Sequence, residues 1–225
     1  MGKGQNRNGG ILSKKQRGGG EKEDALIDAS SKGDIKIVEE LLKDININVD
    51  EKEERFGVTA LIAASSRGHT KIVEMLLVKK ANMEVTDDDG RTALSWAIEK
   101  GQIEIVRMLL RNGANMEVID KNFGDTALIW ASEEGQIEIV RMLLDAGAIV
   151  DAVNKRGDTA LTRAKARGRQ KIVTILNTRI NKPIELSEIN LSFPGGKRRT
   201  RRAKKSKKSK KSKKSKRKTR KTHIK

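Results

Sequence analysis

Gly101–Leu110 reads GQIEIVRMLL, and Gly135–Leu144 reads the same ten residues 34 positions later. Such self-similarity at a fixed offset is the mark of a repeat architecture and decides the fold before any local propensity is weighed. The surrounding residues repeat too. A Gly-X-Thr-Ala-Leu stretch recurs at Gly57–Leu61, Gly90–Leu94, Gly124–Leu128 and Gly157–Leu161, at spacings of 33, 34 and 33. A second glycine follows each time, at Gly68, Gly101, Gly135 and Gly168. A degenerate first copy runs from Asp24-Ala25-Leu26 through Gly33 to Leu41-Leu42, and its interval to the next copy, Gly33 to Gly68, is 35.

Each copy reads as two short helices. Thr59, Thr92, Thr126 and Thr159 precede the first helix, where a hydroxyl can accept from free N–H groups of the opening turn. Asp24 is expected to do the same in the first copy. Gly68 and its counterparts end that helix, where a left-handed residue is required. The second helix, as in Ile72-Val73-Met75-Leu76-Leu77, carries an apolar stripe too wide for one neighbour to cover. Gly113 and Gly147 stop it; Lys80 stands at that position in the second copy. Asp87-Asp88-Asp89-Gly90 and Asp120-Lys121-Asn122-Phe123-Gly124 have turn chemistry and read as solvated hairpin loops.

A period of about 33 with this layout resembles the ankyrin-repeat family from about Lys22 to Asn177. The resemblance implies an all-α solenoid of helix–turn–helix units with hairpin loops. The predicted organisation is an N-terminal arm over 1–21, an array over 22–180, a linker over 181–196 and a basic tail over 197–225. The five repeats run about 22–54, 55–88, 89–122, 123–155 and 156–180. The family's Thr-Pro-Leu-His stands here as Thr-Ala-Leu-Ile, Thr-Ala-Leu-Ser, Thr-Ala-Leu-Ile and Thr-Ala-Leu-Thr. The histidine that bonds the adjacent loop in the family is therefore missing, and the loops are expected to lack that tie. In the fifth copy Arg163, Lys165, Arg167 and Arg169 replace Trp130, Ser132, Glu134 and Gln136. A polar outer face of this kind suits a terminal repeat.

Charge is unevenly placed. The chain carries 49 Lys/Arg against 30 Asp/Glu, a net +19. Residues 195–225 hold nineteen Lys/Arg and no acid, and residues 1–20 hold five and no acid, so 21–194 carry 25 bases and 30 acids, or −5. The tail reads KRRTRRA from Lys197 and then four Lys-Lys-Ser units. Both basic termini are predicted to be disordered, since like charges repel and little apolar surface is available to bury. Without interleaved aromatics, any nucleic-acid contact of the tail would be to phosphate and sequence-independent. Lys197, Arg198, Arg199, Arg201, Arg202, Lys204 and Lys205 are its candidate contacts for an import receptor or nucleic acid; anionic membrane is the less favoured reading. The tail could also fold back on the acidic loops at Asp50–Glu54 and Asp87–Asp89.

A search for reaction chemistry returns little. With no cysteine and two histidines, His69 and His223, the chain offers no thiolate or paired-imidazole metal ligands. His69 follows a turn glycine and reads as structural. There is no phosphate-binding glycine loop, and the spacing in Asp87–Asp89 is not that of a calcium loop. No cofactor, metal or catalytic residue is expected, and no enzyme. The resemblance places function in a groove built from hairpin tips and first helices. Its candidate partner-binding residues are Phe56, Val58, Asp89, Arg91, Trp96, Phe123, Asp125, Trp130, Arg156 and Asp158. Phe56 and Phe123 sit just before turn glycines, covered by a partner or by a neighbouring loop. Trp96 and Trp130 occupy one position in adjacent copies. Packing between repeats is the leading reading for them, and a paired interface anchor is the alternative. The expected molecule is a monomeric protein-binding scaffold in the nucleus, nucleolus or cytoplasm, neither secreted nor membrane-spanning. The alternative is a nucleic-acid-associated protein driven by its tail.

Overall fold

The computed structural model describes residues 20–181. The arm, most of the linker and the basic tail lie outside them. Among the described residues are ten α-helices in five antiparallel pairs: α1 (Glu21–Lys32) and α2 (Ile35–Leu41), α3 (Ala60–Arg67) and α4 (Thr70–Val78), α5 (Ala93–Glu99) and α6 (Ile103–Arg111), α7 (Ala127–Glu134) and α8 (Ile137–Asp145), α9 (Ala160–Ala166) and α10 (Gln170–Asn181). First helices stack in one row, α1 on α3 on α5 on α7 on α9, and second helices stack in a parallel row behind them. This is the all-α solenoid that the family resemblance implied.

The core is continuous and almost purely aliphatic. Ala64, Ala97, Ala131 and Ala164, all fully buried, recur at the same place in the first helices. Small side chains there let adjacent first helices approach closely. Val73, Val106, Val140, Leu76, Leu109 and Leu143 fill the layer behind them. No helix of the described residues is long and apolar enough to cross a membrane.

Caps follow the reading with two exceptions. Thr59, Thr92 and Thr159 accept from the amides of Ile62, Ser95 and Thr162. Thr126 is extended like the others, yet its buried hydroxyl makes no hydrogen bond. Asp24 caps nothing. Helix α1 starts four residues earlier, after Gly20, and places Glu21, Glu23 and Asp24 in its first turn, where carboxylates favour the positive end of the helix dipole. Lys80 is left-handed, with φ 63°, where Gly113 and Gly147 have 85° and 93°.

The loops are tied without the family's histidine. Backbone bonds cross from tip to tip: Asp88 N–H to Phe56 O at 3.0 Å, Lys121 N–H to Asp89 O at 2.8 Å, and Lys155 N–H to Phe123 O at 2.9 Å. A second tie lies behind the helices. Asp50, Glu84 and Glu117 each accept, one repeat on, from the amides of Asn82 (2.7 Å), Asn115 (2.9 Å) and Ile149 (2.9 Å). A third follows the turn glycines, where His69 Nε2, Gln136 Nε2 and Arg169 Nε donate to Ser31 O, Ile98 O and Glu133 O of the preceding repeat. His69 is thus structural, as its position suggested.

Candidate functional site: the loop and first-helix strip

Each hairpin loop is organised by one polar side chain. Glu53 accepts from the amides of Arg55 and Phe56, and Asp120 from those of Asn122, Phe123 and Asp125. Asn154 accepts from Arg156 and Asp158 N–H. Asp87 accepts from Arg91 N–H at 2.8 Å and is only 3% exposed. The expectation that Asp87–Asp89 is a solvated acidic run therefore holds for Asp88 and Asp89 alone. Asp87 is turned inward because two donors converge on it, the Arg91 amide and the Trp96 indole N–H at 2.7 Å, with the Arg91 guanidinium charge 3.5 Å away.

In the third repeat these contacts make a compact cluster. The Arg91 guanidinium lies 3.8 Å from the Trp96 ring centroid and pairs with Asp89 at 2.8 Å and Glu99 at 2.9 Å. Lys100 Nζ approaches the same ring at 5.4 Å. Trp96 is half-buried and packs against the aliphatic core, with its N–H already used. Trp130 occupies the same half-buried position one repeat on. Packing is thus part of the role of both indoles, and the part of each ring left accessible belongs to the strip.

Between the fourth and fifth repeats the cluster is ionic. Arg163 lies within 3.1 Å of Glu133, 3.7 Å of Asp125 and 3.7 Å of Asp158. Arg167 also bonds Glu133. Asp125 and Glu133 are buried. Burial raises the Asp125 pKa above the ordinary aspartate value, and the Asn154 amide and the Arg163 charge offset only part of that effect. Two corrections follow. Asp125, expected on the binding surface, is withdrawn into the repeat interface. Arg163, expected on an outward polar face, is half-buried and holds that interface together, whereas Lys165 and Arg169 are exposed as expected. The sequence signal for Arg163 was present: it stands where Trp130 stands, next to acids at Asp125 and Glu133.

The remaining candidates lie along one strip. Phe56 is 56% exposed with the Arg55 guanidinium 4.8 Å from its centroid, and Phe123 is half-buried with Arg156 at 4.4 Å. Asp89 and Arg156 are exposed; Val58 and Asp158 are half-buried. The tail candidates Lys197–Lys205 lie outside the described residues. Glu99 and Glu133, expected in a charged rim around the two tryptophans, instead hold Arg91 and Arg163 from within, and the positioning role of Asp87 was missed in the sequence. Among the described residues no group of three or more His, Asp or Glu side chains could hold a metal ion. The acids proposed to receive the tail are partly occupied: Asp50, Glu53 and Asp87 already accept from backbone amides.

The family model described as ankyrin repeats (3 copies) matches residues 26–120 and 110–184, well over half of the chain. No curated protein matches it. Stacked helix pairs, hairpin loops knit tip to tip and this match agree, and the chain belongs to the ankyrin-repeat family.

Proposed function

We propose that this protein is a non-enzymatic scaffold that binds another protein along the loop and first-helix strip. The observation that carries the reading is the row of accessible rings and cations, Phe56, Arg91, Trp96, Phe123, Trp130 and Arg156, held by an interior network that fixes their positions. Aromatic and arginine side chains are enriched among the few residues that dominate interface energies. A rigid backing lowers the ordering cost of binding.

The tail is assigned a second task, tethering through Lys197, Arg198, Arg199, Arg201, Arg202, Lys204 and Lys205 to an import receptor or to nucleic-acid phosphates, with a nuclear location as the consequence. The last repeat supports this assignment: residues 156–181 carry seven Lys/Arg and one acid, so it shares the tail's sign of charge.

The test is affinity capture with nuclease-treated lysate, using the full chain, Trp130→Ala, Phe56→Ser and a chain ending at residue 196. The scaffold reading expects the same protein partners with full chain and truncated chain, and their loss with the strip variants. Partners that vanish with the tail or with nuclease, and survive the strip variants, would make the protein a nucleic-acid-associated one instead.

A further inference from the structure

The two ends of the array are finished differently. At the C-terminal end, positions that a following repeat would cover are polar: Thr162, Lys165 and Asn177 stand where the fourth repeat has Ile129, Ser132 and Leu144. At the N-terminal end the apolar framework continues to the edge. Ile37 is 51% exposed, whereas its counterparts Ile72, Ile105, Ile139 and Ile172 are at most 1% exposed. Ala25 is exposed where Ala60, Ala93, Ala127 and Ala160 are buried, and Leu41 is only half-buried where Leu76, Leu109, Leu143 and Leu176 are fully buried. Ile37, Leu41 and Ala25 therefore map the surface that a preceding repeat would occupy, and no preceding repeat exists among the described residues.

That surface is also acidic. Residues 21–54 carry twelve Asp/Glu and five Lys/Arg, a net −7 and the strongest negative charge of any repeat. Exposed Glu21, Asp24 and Asp28 share the α1 face of Ala25 at helical spacing, and exposed Glu40 adjoins Ile37 and Leu41 on α2. The chain immediately before Gly20 has complementary chemistry. Residues 1–20 carry five Lys/Arg and no acid, and Ile11-Leu12 is its one pair of adjacent aliphatic residues, followed by Lys14, Lys15 and Arg17.

The geometry points to residues 11–17 as the cap of the first repeat: Ile11 and Leu12 cover Ile37, Leu41 and Ala25, while Lys14, Lys15 and Arg17 pair with the acidic rim. The reach is sufficient. Leu12 is eight residues from Gly20, up to about 26 Å of extended chain at ~3.3 Å per residue. Helix α1 has twelve residues and is about 18 Å long, and α2 lies about 10 Å to its side, so the path to Ile37 is on the order of 20 Å. Tethering holds the segment at high effective concentration, so modest contacts suffice. This inference does not rest on the proposed partner-binding role.

The absence of cysteine from the chain gives a clean test. In the full chain, Leu12→Cys is paired with Ile37→Cys or, separately, with Glu39→Cys. Residues 37 and 39 are both exposed and lie about 200° apart around α2, with Glu39 on the side of Lys71 and Val78. An undirected arm reaches both. The cap predicts that oxidation closes the 12–37 disulfide at least tenfold faster than 12–39 at low salt. The preference should collapse when Lys14, Lys15 and Arg17 are changed to Glu. Equal closure rates overturn the proposal. So does an intermolecular 37–37 product with dimer on size exclusion, which would make a second copy the occupant. Both cysteine sites on α2 are solvent-exposed, and far-ultraviolet circular dichroism confirms the fold of each variant before oxidation.

Discussion

The indole N–H of Trp96 donates to Asp87 Oδ2 at 2.7 Å, so the first helix of the third repeat is fastened to its own hairpin loop through a buried carboxylate. Asp87→Ala removes that acceptor and the one used by the Arg91 amide. Hydrogen bonds to a charged group are worth about 1.5–3 kcal/mol when one partner is deleted. A loss of roughly 2–3 kcal/mol in urea unfolding is expected, with a red-shifted tryptophan emission. Asp88→Ala, at an exposed neighbour, should change neither.

Lys80 adopts φ 63° at a position that is glycine in the next two repeats. A left-handed backbone costs a residue with a Cβ about 1 kcal/mol. Lys80→Gly is expected to stabilise the array by about that amount. Gly113→Ala should lose a similar amount through backbone strain alone, because an added Cβ there meets nothing within 4 Å. Urea midpoints that move in the same direction for both would refute the account.

Glu117 couples the third repeat to the fourth by accepting from Ile149 N–H, and burial lifts its pKa above the ordinary 4.5. The folded state then holds the proton more tightly than the unfolded chain. Its contribution to stability is largest below pH 4.5 and declines as pH rises from there through the folded value. Glu117→Gln keeps the acceptor and removes the charge. A small gain is expected at pH 7, limited by solvent screening of the part-exposed carboxylate, shrinking at pH 4. Urea titrations at the two values check both sign and trend.

Arg163 neutralises Asp125 and Glu133, both buried, at the last repeat interface. Arg163→Met leaves Glu133 with only the exposed Arg167 and Asp125 with only the Asn154 amide, so a loss somewhat below the roughly 3–5 kcal/mol of a fully broken buried pair is expected. Arg167→Met removes an exposed partner of Glu133 and should cost less. Hydrogen exchange of α9 and α10 amides measures the local effect: protection there should fall well before protection in α3–α6.

Much of the architecture was legible because the same constraint recurs. Every inner second helix must bury Ile, Val and Leu against two neighbours, so Ile72, Ile105 and Ile139 announce one another at a fixed offset. Turn glycines are equally readable, since only a few residue types tolerate the left-handed region. The first helix was misplaced because its start depends on a favourable acidic first turn as much as on a cap, and Asp24 fits either position. Thr126 shows the limit from the other side: the residue type is right and the backbone extended, yet its hydroxyl makes no bond.

The candidate site was legible only as a line of positions. Asp89 and Asp125 look alike as loop acids, but one is exposed and pairs with Arg91, while the other is buried beside Asn154 and Arg163. Arg163 reads as a solvated cap until its neighbours from the fourth repeat are known.

The repeat period determined that short helix pairs recur with a wide apolar stripe needing neighbours on both sides, and the family resemblance carried by that period implied an open array with hairpin loops along one edge. Tertiary contact decided which polar side chains face a partner and which are consumed inside. That choice depends on donors brought from a repeat some 30 residues away, as Asn154 is brought to Asp125 and Arg163 to Glu133, and on which terminal face is left with its isoleucine uncovered.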